Sequence, residues 1–266
     1  MQENRKNILI SIGFVLILTI VFIVNILSKD KMISISERRK LVQFPEITTK
    51  KILDGTVSKD FEEYAMDQFV GRDLLRGIKA LFNLEIYRQK DNNKLFIENN
   101  SIYKVEYPLK EELIEKTAKR IEQIKEKYLK DMDVYYAIIP DKNYFLEDDN
   151  LKMDYEKLQN IMKINLKNMI YINLFSELSS QDYYRTDIHW KQENIRKVVR
   201  KIEKEMNLKD TSKIKYEERE LGKFYGVYYG QIGIRVKPDT MRYLTNDNIE
   251  NCTTYNFETG KTRKSI

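Results

Sequence analysis

An α/β fold with a parallel sheet covered on both faces is what residues 109 to 206 predict. Three observations carry this. Val134 to Ile139 and Met169 to Ile172 are short, nearly continuous apolar runs of the kind that strands buried on both sides show. Amphipathic stretches of helical period alternate with them. Polar segments, Pro140-Asp141-Lys142 and Tyr183 to Trp190, follow the strands on one rim, where ligands of open α/β sheets bind.

The elements follow in order. A helix is expected from Ser58, a candidate N-cap, carrying Phe61, Tyr64, Phe69, Leu74, Ile78 and Phe82, with a break or bend at Gly71. Lys94–Ile97 and Ile102–Val105 are expected to pair around Asn99-Asn100. Pro108 opens a helix whose apolar face holds Leu113, Ile114, Thr117, Ile121, Ile124 and Tyr128. Tyr155–Leu166 is helical, as is the stretch bearing Ile195, Val198, Val199, Ile202 and Met206. Leu221 to Gln231 alternates glycine with aromatics and is expected to form loop and short strand, either packing locally or walling a cleft that stacks on sugar rings.

Ile8 to Leu27 carries no charge and is long enough to cross a bilayer core of about 30 Å. No small-x-small site follows closely, so an uncleaved signal anchor is expected. The predicted organisation is a cytoplasmic tail (1–7), a transmembrane anchor (8–27), a juxtamembrane segment (28–57) and an extracytoplasmic domain (58–266). Lysines and arginines flank the span on both sides, so orientation rests on the short N-terminal tail.

The 266 residues include 33% charged and 42% hydrophobic side chains, with a net charge of +6. The positive excess is spread along the chain, without a basic cluster or zinc module, which argues against nucleic acid as partner. One histidine and one cysteine leave no zinc-type spacing, and no metal or cofactor is expected.

The single histidine, His189, adjoins the single tryptophan, Trp190, and follows Asp187 by two residues. In an extended segment i and i+2 face the same side, so Asp187 can bond one ring nitrogen and leave the other for chemistry. That supplies the base and its orienter of a Ser-His-Asp relay. A chance pair beside an aromatic core corner is the plainer alternative.

Glu37-Arg38-Arg39, Phe44-Pro45-Glu46, Phe61-Glu62-Glu63-Tyr64, Asp67 to Asp73, Pro140-Asp141-Lys142, Tyr184 to Trp190 and Phe224-Tyr225-Gly226 occur in that order after the anchor. In this order they resemble the DHHW family of bacterial envelope proteins, which is related to the SGNH-hydrolase-like alginate O-acetyltransferases. The resemblance implies a three-layer, flavodoxin-like SGNH domain. It makes His189 the catalytic base and Asp187 its orienter, and Lys142, Tyr184, Arg185 and Trp190 substrate contacts. It also implies an envelope polysaccharide as substrate and a membrane-bound O-acyltransferase as acyl donor. Ile188 stands where the family's motif has a second histidine.

The family's serine, on a strand-to-helix turn near the C-terminus, has no counterpart. No Gly-Asp-Ser or Gly-x-Ser-x-Gly is present, and Ser265 is followed only by Ile266. The expectation is a domain incomplete at its C-terminal end, with negligible esterase or acetyltransferase activity. The competing function is a non-catalytic, membrane-anchored protein that binds polysaccharide or an assembly partner.

Overall fold

The computed structural model describes residues 2–146 and 151–264. It is a mixed α/β chain whose contacts divide into two compact units, residues 1–89 and 90–266. The sequence places the start of the domain at Ser58, so residues 58–89 group instead with the N-terminal unit.

The first unit begins with helix α1 (Gln2–Leu27). Its portion Asn4–Leu27 is long and apolar enough to cross a membrane. A minimal hairpin follows, β1 (Ile33–Ser34) against β2 (Arg39–Lys40). Then come α2 (Thr49–Leu53), α3 (Thr56–Gln68) and α4 (Arg72–Leu81), the last continuing into a single π-turn at Phe82–Ile86. Ser58 is not the cap of α3, because Gly55, in the left-handed region at φ 77°, starts the helix three residues earlier. Gly71 does break the long helix, at φ 78°, a conformation that only glycine adopts without a Cβ penalty.

Charge pairing holds this unit together. Arg39 grips both oxygens of Asp67, at 2.7 and 2.6 Å, and holds that carboxyl down at about 2. Glu37 receives Arg72 at 2.5 Å and Arg76 at 3.3 Å. Gln68 bonds Lys31 and Val42 through the backbone. Phe44 packs edge-on against Phe61 and Tyr64. The motifs at 37–46 and 61–73 are therefore two halves of one interlock.

The second unit opens with the hairpin β3 (Leu95–Glu98) and β4 (Ser101–Lys104). Asn99 and Asn100 both have positive φ, 48° and 61°, the geometry of a two-residue hairpin turn that asparagine tolerates. Helix α5 (Glu111–Tyr128) leads to β5 (Tyr135–Ile138), α6 (Tyr155–Asn165) and β6 (Ile170–Asn173). Asp154 caps α6 by accepting from Lys157 N at 2.9 Å. Strands β5 and β6 pair in parallel. Helix α7 (Arg196–Glu205) follows the 183–190 run.

Successive strand residues face opposite ways, and both faces of β5–β6 are covered. Tyr135 and Ile172 meet Leu174, Leu178, Tyr183, Val198 and Ile202 on one side. Val134, Tyr136 and Met169 meet Ala118, Ile121, Met162 and Leu166 on the other. The predicted stripe of α5 is only partly used, since Leu113, Ile124 and Tyr128 stay exposed and Ala118 is the fully buried position.

The remaining elements are β7 (Glu217–Phe224), α8 (Val227–Ile232), β8 (Asp239–Thr245), α9 (Asp247–Glu250), β9 (Thr253–Asn256) and β10 (Lys261–Lys264). β7 and β8 are antiparallel, with an irregularity between Glu220 and Gly222. The aromatic-glycine stretch thus ends a strand, as expected, and runs into a short helix where a loop was expected.

The sheets depart from the expected three-layer, SGNH-like architecture. Among the described residues there are five two-stranded sheets, and only β5–β6 is parallel. The physical reason lies in β7, Glu-Glu-Arg-Glu-Leu-Gly-Lys-Phe, which is charged on both faces and largely exposed. Such a strand cannot be sandwiched between helices as a third central strand.

Candidate functional site

The site is a closed loop at the carboxyl ends of β5 and β6. Tyr183 and Trp190 bridge across it, Tyr184 N donates to His189 O at 3.1 Å, and Lys191 N donates to Asp182 O at 2.7 Å. Residues 184–189 are therefore a tight excursion and not the extended segment the i, i+2 argument assumes. The pair meets anyway, by a different route. Asp187 Oδ1 accepts the backbone N–H of His189 at 3.0 Å, an Asx-type turn that curls His189 back onto the carboxylate. The same oxygen lies 2.5 Å from His189 Nδ1.

Arg185, Thr186 and Asp187 are moored from below. Ile102 N, in β4, donates to Arg185 O at 2.8 Å. Asp239, at the start of β8, accepts Arg185 N at 2.9 Å, Thr186 N at 2.8 Å and Thr186 Oγ1 at 2.6 Å. Thr186 Oγ1 in turn accepts Gly226 N at 2.8 Å, and Val227 N donates to Asp187 Oδ2 at 2.8 Å. Tyr228 N closes the set on Thr186 O at 3.1 Å. The first turn of α8 thus brings its free N–H groups to the Thr186-Asp187 segment, as helix N-termini do with acceptors.

The consequences for Asp187 are electrostatic. Its side chain is 1% exposed, and burial alone would push the carboxyl up. The N–H donors of His189 and Val227, with the imidazole, outweigh burial and hold it below its ordinary value. An ionised carboxylate only accepts, so Nδ1 is the donor, and in the neutral imidazole Nε2 then keeps its lone pair. The His189 side chain is 76% exposed. It borders an open depression of about 430 Å³ lined also by Tyr184, Trp190, Leu221, Met241 and Tyr243. Among the described residues no serine, threonine or cysteine hydroxyl or thiol is hydrogen-bonded to Nε2. Ser265 lies outside the described residues. No group of three or more His, Cys, Asp and Glu that could hold a metal occurs among the described residues.

The other expected site residues have distinct places. Trp190 borders the depression and packs on the core side of β6. Tyr184 is buried, its ring edge-on to Phe224 at 5.2 Å. Arg185 is turned to Pro238 O, at 2.7 Å, and to Asp239. Lys142 is buried, being only 3% exposed. Its Nζ donates to Tyr184 O at 2.8 Å and Arg185 O at 3.1 Å, between the rings of Tyr103 and Tyr228. It fastens the loop from beneath. Proline ends β5 and Asp141 caps the next turn by accepting Asn143 N at 2.7 Å, which directs Lys142 inward.

Burial pulls the Lys142 ammonium down to about 7, against the upward pull of Asp239 and Asp187. Unfolded, the same lysine titrates near 10.4. Between those values the unfolded chain binds more protons, so stability rises with pH across the window. The expected result is an unfolding midpoint that climbs from about pH 7 to about pH 10 in the full-length protein. The slope should flatten in Lys142→Met, which keeps the stem and removes the titration. An equal slope in both proteins would refute the assignment.

Comparison with known proteins adds one solved structure. No family model matches the chain, and no curated protein matches it. A DHHW family protein from Eubacterium siraeum DSM 15702 is similar at 17% identity and a TM-score of 0.48. The match covers 59% of this chain and 56% of that one.

The sequence did not reveal Asp239, Thr186 or the Val227 amide as parts of the site. Asp239 contacts residues 53 and 54 positions away, and nothing local marks it among 41 acidic residues. Gly226 did carry a signal, because a glycine isolated among aromatics at a strand end marks a close backbone approach.

Proposed function

We propose that this chain is a membrane-anchored envelope protein of DHHW type, of SGNH-like O-acyltransferase or esterase lineage. In this reading the Asp187–His189 pair is a general base for acyl transfer to an envelope polysaccharide. The observation that carries it is the His189 ring, held through Nδ1 by a buried carboxylate while Nε2 stays open to solvent. Nε2 takes the proton of an attacking hydroxyl as its oxygen bonds the acyl carbon. Asp187 stabilises the resulting imidazolium, and the proton passes to the leaving group as its bond to the acyl carbon breaks. Helix α1 is the anchor, with the second unit extracytoplasmic. A membrane-bound O-acyltransferase is the proposed acyl donor, and Trp190 borders the acceptor's place.

The test is the O-acetyl content of envelope polysaccharide from source cells carrying His189→Ala or Asp187→Ala. Both should drop to the level of a deletion strain, a loss of roughly 10²-fold or more in the catalysed step. Wild-type acetylation with both variants would sink the reading. It would leave the second one, a non-catalytic polysaccharide-binding protein. That second reading is favoured by the missing hydroxyl or thiol partner of Nε2 among the described residues. For the same reason the purified protein alone is expected to hydrolyse an activated acetyl ester negligibly. A robust rate lost in both variants would show a nucleophile acting with this pair.

A further inference from the structure

Helix α4 has its polarity reversed relative to a soluble protein. Leu74, Leu75, Ile78, Leu81 and Phe82 fall within an arc of about 120° at 100° per residue. All five are exposed, from 42% to 69%. The opposite side bears Arg72 and Arg76, which turn inward onto Glu37, and Ala80, which is fully buried. The charged side is packed and the apolar side faces out.

The neighbourhood of that apolar side is fixed by α1. Val70 N, in the turn before α4, donates to Asn25 Oδ1 at 2.9 Å, and Asn25 lies in the last turn of α1. Lys31, just past α1, is bonded through its backbone to Gln68. A concavity of about 550 Å³ brings together Ser28 at the end of α1, Ile35, Phe69 and Leu74. Beside it Met32, Ile33 and Ile35 are also exposed. The end of α1, the apolar residues Met32, Ile33 and Ile35 and the start of α4 are thus at one level.

We infer that α4 is an interfacial helix, whose apolar side lies in the surface of the bilayer that α1 crosses. This rests on the reading of α1 as a membrane span. Amphipathic helices of this kind lie in the interface plane, their apolar side at the headgroup–acyl boundary. Lys29, Lys31 and Lys79 are exposed around the same region, which suits anionic headgroups. Lys79 flanks the apolar arc, where its stem covers apolar surface while its charge reaches the headgroups. The consequence is a fixed standoff for the first unit, held at two points instead of swinging on one helix.

The test uses the full-length chain with Cys252→Ser and a single cysteine at Ile78 or, as control, at Lys204. Each is labelled with an environment-sensitive fluorophore in phosphatidylcholine–phosphatidylglycerol vesicles containing spin-labelled lipid. Quenching at position 78 should exceed that at 204 about five-fold. Adding Leu75→Glu and Leu81→Glu should abolish the excess without changing the helix content, since both positions are exposed. Equal quenching at the two positions overturns the proposal. So does a label at 78 that escapes lipid but transfers energy to a second copy, which would make the helix a dimer face. Alkaline extraction separates the two levels. Release from the vesicles would show that α1 does not span, and both readings fall. Retention without quenching removes only the role of α4.

Discussion

Gly226→Ala is expected to dismantle the Asp187–His189 arrangement and to destabilise the second unit by about 3 kcal/mol or more. A Cβ at position 226 would stand 2.3 Å from Thr186 O and 2.4 Å from Asp187 Cβ. Neither atom is the far end of a flexible side chain, so one of the two backbones must move. The backbone of Gly226 itself is ordinary, at φ −76°, which makes proximity the constraint and not conformation. Separation would break the bonds from Gly226 N to Thr186 and from Val227 N to Asp187 together. A lone histidine makes the outcome directly visible, since one imidazole gives one set of ring signals. In the wild type the Nδ1 proton should resonate far downfield, in a short bond to a carboxylate. In Gly226→Ala that signal should vanish and the thermal midpoint should fall. A variant that keeps both would show that the loop has slack that the close approach denies.

How much of this was legible depended on range along the chain. The Asn99-Asn100 turn and the Gly71 break are decided by neighbours, and the sequence displays them. Asp187 and His189 were legible because one is two residues from the other and the chain has a single imidazole. The route by which they meet was not, because an Asx turn and an extended strand both bring i and i+2 to one side. Sheet size was not legible either. Apolar runs identify β5 and β6, but the number of strands joining them depends on long-range pairing, and β7 pairs elsewhere. The burial of Lys142 was not legible for a related reason. A lysine in a loop is exposed by default, and only two carbonyls about 42 positions on, with two aromatic rings, make its burial tolerable.

Asp239→Ala should be the second severe substitution, although Asp239 touches neither His189 nor the depression beside it. Its carboxylate is 3% exposed and takes the backbone N–H groups of Arg185 and Thr186 together with the Thr186 hydroxyl. Truncation leaves these donors facing a small void without acceptors, and each such buried orphan costs about 1–3 kcal/mol. A total of about 3–5 kcal/mol is expected, less whatever a trapped water restores. Asp239→Asn separates charge from shape. It retains one acceptor oxygen but turns an NH₂ toward donors, so it should fall between wild type and alanine. It also removes an anion that raises the Lys142 ammonium, so Lys142 should titrate lower still than about 7. Thermal unfolding of the full-length variants, beside Glu258→Ala as an exposed carboxylate control, gives the order. The downfield His189 proton reports whether the Thr186-Asp187 segment keeps its place. If Asp239→Ala unfolds with the control and the His189 signal is unchanged, the loop is held from α8, β4 and Lys142 without it. Asp239 would then be a buried passenger and not the mooring of the site.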